Sequence, residues 1–197
     1  QTQVAAGNAA KPEEQAETRA QIEKQTAALR GLPFKKPVIY KMIGREELRK
    51  VLETKLGEQF SAQELRDYGR TLETLGLIPE GTDLQEVIVA LYGEQVAAFY
   101  VPEERALYTF KDMSLSGNLD KVTLAHELTH ALQDQNYDLT TFPLKVKDND
   151  DLALATSALV EGDATVLMAQ YYGEHLDVSH MLSDVMGGML GQKTAKF

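Results

Sequence analysis

Apolar residues recur along this chain with two different periods, and each change of period marks a boundary. Residues 12–30 are polar, with Ile22 and Leu29 as the bulky apolar anchors, which predicts a surface helix stopped by Gly31 and Pro33. Residues 38–43 have the β-branched and aromatic content of a short strand, and residues 45–56 read as a helix ended by Gly57. Ser61 with Glu64 is a capping box that opens a helix to about Leu75, and Gly76 is its stop. Thr82 or Asp83 caps a helix through about Tyr92, although Val87-Ile88-Val89 suits a strand equally. Residues 95–101 and 106–110 are strand-like runs joined by Pro102-Glu103-Glu104-Arg105, a hairpin. Asp120 opens a helix to about Gln135, residues 136–149 form a loop, and Asp150 or Asp151 caps a long helix to about Tyr172. The last helix is hydrophobic nearly all round and is therefore expected to be buried.

Composition narrows the classes of function. With 197 residues, 43% hydrophobic and 25% charged, the chain suits one folded domain that removes roughly 70% of its unfolded surface from water. The 20 Lys+Arg against 30 Asp+Glu give a net charge of −10, so nucleic acid is not an expected partner. No uncharged apolar run approaches the ~20 residues of a membrane span. The two richest stretches are broken by Glu94 and Gln95, and by Glu161 and Asp163, so no membrane span is expected. Cysteine is absent, which excludes disulfides, thiol nucleophiles and Cys-ligated metal. Any metal must then be held by His and carboxylate.

The helix from Asp120 contains His126-Glu127-Leu128-Thr129-His130, the HExxH pattern. At ~100° per residue the two imidazoles project within ~40° of each other, one turn apart, and both can reach one ion. Glu127 lies ~100° around from His126, placed to touch a water on that ion rather than to ligate it. Leu124, Leu128, Ala131 and Leu132 occupy the opposite face, as in any amphipathic helix, so amphipathicity alone does not separate a metal site from a solvated face with two His.

The second helix supplies independent support. Glu161 lies among apolar neighbours on a helix expected to be buried, and a desolvated carboxylate must protonate or find a cation. A zinc ion held by two neutral imidazoles is such a cation and lacks a third protein ligand; a salt bridge to Lys or Arg is the alternative. Gly162 beside it suggests close approach of another backbone. The metzincin pattern is excluded, because Gln133 and Asn136 stand where its Gly and His would be. His175 and His180 follow the long helix without a required spacing. Asp148-Asn149-Asp150-Asp151 reads as an acidic helix start rather than a calcium site. Met181, Met186 and Met189 read as a packing segment.

His126-Glu127-Leu128-Thr129-His130-Ala131 with Asp134, followed by Ala158-Leu159-Val160-Glu161-Gly162-Asp163-Ala164, resembles the gluzincin metallopeptidases, thermolysin's clan, and their compact relatives the minigluzincins. The likeness covers residues 95–172. It implies His126, His130 and Glu161 as zinc ligands, Glu127 as general base, and a hairpin edge to which an extended peptide substrate adds as a further strand. The chain departs from thermolysin-type enzymes one turn after the ligand Glu: Thr165 stands where an Asp orients the first His. Asp163 projects ~200° away, and Asp134, ~40° from His130 and a turn further on, reads equally as a residue that orients His130 or as a solvated helix-end carboxylate. Tyr137, Tyr171, His175 and His180 are the candidates for an oxyanion donor; Tyr172 shares the face of Glu161 but lies ~16 Å further along the axis, too far unless the helix bends.

The expected fold is therefore α+β, a mainly helical zincin-like domain at residues 37–197 with a small antiparallel sheet. Residues 1–36 form a polar N-terminal segment, a linker or a pro-segment. The expected activity is zinc-dependent peptide hydrolysis, with a catalytically inactive or latent zinc-binding scaffold as the alternative. The resemblance, with Gln at position 1, leads us to expect an extracytoplasmic or secreted location.

Overall fold

The computed structural model describes residues 12–95, 98–110, 113–146 and 148–177. In chain order they form α1 (Pro12–Arg30), β1 (Ile39–Ile43), α2 (Arg45–Gln59), α3 (Ala62–Thr74), α4 (Leu84–Gln95), β2 (Ala98–Val101), β3 (Ala106–Phe110), α5 (Asn118–Tyr137) and α6 (Asp150–His175). Short 3-10 turns lie at Pro102–Glu104 and Leu139–Thr141. The chain is mainly helical with one small sheet, an α+β arrangement. The sheet has the order β1-β3-β2 and is mixed rather than antiparallel. Only the β2–β3 hairpin has the tight connection that forces opposite directions. β1 is followed by three helices before its partner β3, a connection long enough to bring a strand back parallel.

Local chemistry accounts for the boundaries that differ from expectation. Gly57 does not end α2, which runs on to Gln59 and stops where Phe60 turns to extended backbone; among the described residues the glycines with positive φ are Gly31, Gly76 and Gly81, and Gly57 lacks the left-handed conformation of a glycine stop. The Val87-Ile88-Val89 run is helical in α4, where the Asp83 carboxylate accepts from the Glu86 N–H at 3.2 Å. α6 is capped by Asn149, whose side chain accepts from Leu152 N–H at 3.0 Å, with Asp150 and Asp151 in its first turn.

Two compact units divide the chain. In one, α2, α3 and α4 pack together, burying Leu48, Leu65 and Val89, and Arg49 bridges Glu53 and Glu86 on the surface. The other contains α1, β2, α5 and α6, and its core gathers Ile22, Ala98, Leu107, Leu124, Leu128, Leu167 and Tyr171. The polar helix α1, within segment 1–36, supplies Ile22 at 1% exposure and the fully buried Thr26. The Tyr171 hydroxyl donates to Gln25 Oε1 at 3.0 Å, tying α6 to α1.

The expectation that α6 is buried on all sides does not hold. Its buried residues are Val160, Ala164, Leu167, Tyr171 and Tyr172, whereas Leu154 is 71%, Leu159 68% and Val166 60% exposed. Hydropathy reports what a side chain prefers, not what lies beside it, and among the described residues α6 packs along one face only. With 26 residues and a mean hydropathy of 1.4 over its most apolar window, α6 is also long and apolar enough to cross a membrane by length and composition, where none was expected. Glu161 and Asp163 lie near its middle, and carrying both into hydrocarbon is costly. Core helices pass the same length test.

The packing of α1 is directly testable. Ile22→Ala removes a fully buried side chain and is expected to lower unfolding free energy by about 2–5 kcal/mol in chemical denaturation. A loss below about 0.5 kcal/mol, the size of ordinary surface substitutions, means that α1 is not part of the core.

Candidate metal centre

α5 fixes two of the three side chains that converge. The helix begins after Gly117 and ends at Asp138, a residue with φ 56°, so its seventh to fifteenth residues sit well inside regular helix. Leu124, Ala125, Leu128, Ala131 and Leu132 are fully buried and anchor one side. His126 and His130 emerge one turn apart, with rings 4.8 Å apart and nearly perpendicular. Their Nε2 atoms are 3.1 Å apart. α6 brings the third group: Glu161 Oε2 lies 3.3 Å from His126 Nε2 and 3.5 Å from His130 Nε2. Three potential ligand atoms thus form a nearly equilateral triangle, from residues up to 35 positions apart in sequence, and this group could hold a metal ion. Two imidazoles and a carboxylate suit a first-row transition metal better than calcium or magnesium, which favour all-oxygen sites.

Glu161 lies beside the two imidazoles, but not because it is buried. Its side chain is 56% exposed, so desolvation does not force it to find a cation. Gly162 does not admit a close backbone either: a Cβ there meets nothing within 4 Å among the described residues. Proximity to two imidazoles is what sets the charge of Glu161. Hydrogen bonds from His126 and His130 hold its carboxyl far below the usual carboxylate range. Burial acts to lower the pKa of His130, but the Glu161 hydrogen bond, the Glu127 charge and Gln133 outweigh it, and the net shift is upward.

Glu127 faces a different environment. Burial pushes its carboxyl up, against the opposing pull of both imidazoles and a backbone hydrogen bond. That bond comes from Tyr100 N–H on β2, 2.8 Å from Glu127 Oε2. β2 is an edge of the sheet, and an N–H spent on Glu127 points away from β3. Among the described residues the carboxylate is therefore pinned by one oxygen against the outer side of an edge strand.

Outer contacts differ from those expected. Asp134 does not orient His130; it accepts from the Tyr100 hydroxyl at 2.8 Å and from Leu139 N–H at 2.9 Å, closing the end of α5. Gln133 takes that place, with Oε1 2.9 Å from His130 Nδ1. Asp163 makes no bond to His126 and instead accepts from Gln133 Nε2 at 2.8 Å and Arg30 Nε at 2.9 Å. His126 Nδ1 is buried and has no hydrogen-bond partner among the described residues. Of the expected oxyanion donors, Tyr171 bonds Gln25 and packs on His175, and Tyr137 is exposed at the end of α5; Tyr172, set aside by distance, is buried in the core. His180 and Met181, Met186 and Met189 lie outside the described residues. Sequence reasoning missed Tyr100, Gln133 and Arg30. Gln133, three residues after His130 on one helix, was within reach of a helical projection; the other two act across the fold and leave no local signal.

Comparison of the chain with family models, with curated proteins and with solved structures returns no match.

Removal of one ligand should disable the centre. Titration of the metal-free chain with zinc is expected to give one site, and Glu161→Ala is expected to weaken it by more than about 100-fold, beyond the effect usual for an outer-sphere partner. Equal affinity in both proteins would remove Glu161 from the ligand set.

Proposed function

We propose that the chain is a zinc-dependent metallopeptidase of gluzincin type, with His126, His130 and Glu161 as the zinc ligands and Glu127 as the general base. The observation that carries the reading is the spacing of the three ligand atoms, 3.1, 3.3 and 3.5 Å. A tetrahedral ion with ligand bonds of about 2.0–2.1 Å separates its ligands by about 3.3–3.4 Å, which is the mean of this triangle. Three protein ligands leave a tetrahedral ion one corner for solvent or substrate, the arrangement of catalytic rather than structural zinc.

When bound, zinc would supply Lewis acidity, lowering the pKa of a water towards about 7 and polarising a peptide carbonyl. The chain's own residues account for the proton traffic. Glu127, anchored through Oε2 by Tyr100 N–H, takes a proton from the attacking water on its remaining oxygen. It then releases that proton to the amine nitrogen of the departing peptide. An extended substrate adding to the free edge of β2 meets Glu127 at the Tyr100 register, which places the bond to be cut opposite that residue.

The competing reading is a zinc-binding scaffold without turnover, and His126 Nδ1 favours it, since among the described residues that imidazole lacks the usual orienting acceptor. Glu127→Gln separates the two. The peptidase reading expects zinc stoichiometry unchanged and cleavage of a denatured protein substrate reduced by at least about 100-fold. Equal cleavage in both forms would exclude Glu127 as base, and no cleavage by a zinc-loaded wild-type chain supports the scaffold.

A further inference from the structure

His130 Nδ1 and Gln133 Oε1 are 2.9 Å apart, and taken alone that contact does not say which atom holds the hydrogen. The other end of Gln133 decides it. Its amide nitrogen lies 3.0 Å from the Val160 carbonyl and 2.8 Å from Asp163 Oδ2. Both are acceptors, and Asp163 is held as a carboxylate partner by Arg30 Nε at 2.9 Å. Turning the amide over would set its oxygen against two acceptors, so the oxygen must face His130. An oxygen can only accept, and His130 must therefore carry its hydrogen on Nδ1. In the neutral ring that leaves the lone pair on Nε2, the atom that faces His126 and Glu161.

We infer that Arg30, Asp163 and Gln133 are positioning residues that select the metal-competent tautomer of His130 and fix its ring. The inference rests on the proposed zinc reading for its purpose, but its tautomer claim stands on the hydrogen bonds alone. The relay draws on three helices of one unit: Arg30 ends α1, Gln133 lies on α5 and Asp163 on α6. Gln133 is 5% exposed, so water does not compete for its amide. The ionised Asp163 strengthens the bond from Gln133 because a charged acceptor binds an N–H more tightly than a neutral one. The two imidazoles are thereby unequal. His130 is held through its far nitrogen, while His126 has no such tie among the described residues.

The test uses the full chain and two variants. Gln133→Met keeps the volume and removes both ends of the relay. Asp163→Ala removes its charged terminus at a side chain 28% exposed, where truncation leaves the core intact. Ring nitrogen shifts of His130 are recorded by NMR on metal-free protein at alkaline pH, and zinc affinity is measured by competition with a chromophoric chelator. The wild type is expected to show the Nδ1–H tautomer. Both variants should show a mixture with Nε2–H and a zinc affinity lowered by about 10–100-fold, the larger loss in Gln133→Met. Unchanged His130 shifts together with zinc affinity within twofold of wild type in both variants would overturn the relay, even if their melting temperatures fell. A wild-type chain that binds no zinc would overturn the metal reading instead, and the His130 shifts would still decide the tautomer.

Discussion

Two imidazole nitrogens 3.1 Å apart, with a carboxylate oxygen 3.3 and 3.5 Å from them, cannot all present bare lone pairs to one another. A hydrogen or a cation has to sit among them. In the absence of a metal it is a hydrogen on an imidazole nitrogen, and hydrogen bonding between the imidazoles and Glu161 holds the Glu161 carboxyl down and helps to raise the His130 imidazole. A divalent cation answers the same demand more completely, because it satisfies all three atoms at once. The packing of α5 on α6 enforces this crowding, and that packing is in turn anchored by Leu124, Leu128 and Leu167 in the core beneath.

The position of Glu127 follows from a separate constraint. A carboxylate beside the His126, His130 and Glu161 cluster loses solvation by burial, and its pKa rises for that reason first. The Tyr100 N–H returns one hydrogen bond to it, and the hydroxyl of the same tyrosine reaches Asp134 at the end of α5. One residue of β2 thus fixes the strand edge against the helix at two points. Whatever approaches that edge meets an acceptor held at a defined register, and this is the geometric basis for reading the edge as a substrate track.

Much of the site was legible in the chain because it is encoded locally. His126 and His130 share a helix face by spacing alone, and the run from Glu161 to Asp163 stands out as three polar or small residues in an apolar helix. The hairpin and the capping box at Ser61 were equally plain, since turn and cap chemistry depends on a few adjacent residues. What failed were several inferences about surroundings. Burial of α6, a backbone approaching Gly162 and a role for Asp134 at His130 all required knowing which element lies across from a given face, and periodicity carries no such information. The direction of β1 failed for the same reason: a strand's neighbours are set by the path of the intervening helices. The Glu161 assignment is the instructive case, since a mistaken premise of burial led to the same three side chains that the fold brings together.

The ion pair of Arg30 with Asp163 illustrates how a contact of small energetic weight acquires consequence. Both side chains are about 30% exposed, and such a pair contributes on the order of 0–1 kcal/mol to stability. Its effect on geometry is larger than its effect on free energy. It holds the Asp163 carboxylate in place, which together with the Val160 carbonyl leaves the Gln133 amide one orientation, and that orientation leaves His130 one tautomer. The polar helix α1, which its composition marks as dispensable surface, therefore reaches the centre through a single guanidinium. Substitutions at the end of α1 should then be felt in the ordering of the imidazole sooner than in the stability of the fold.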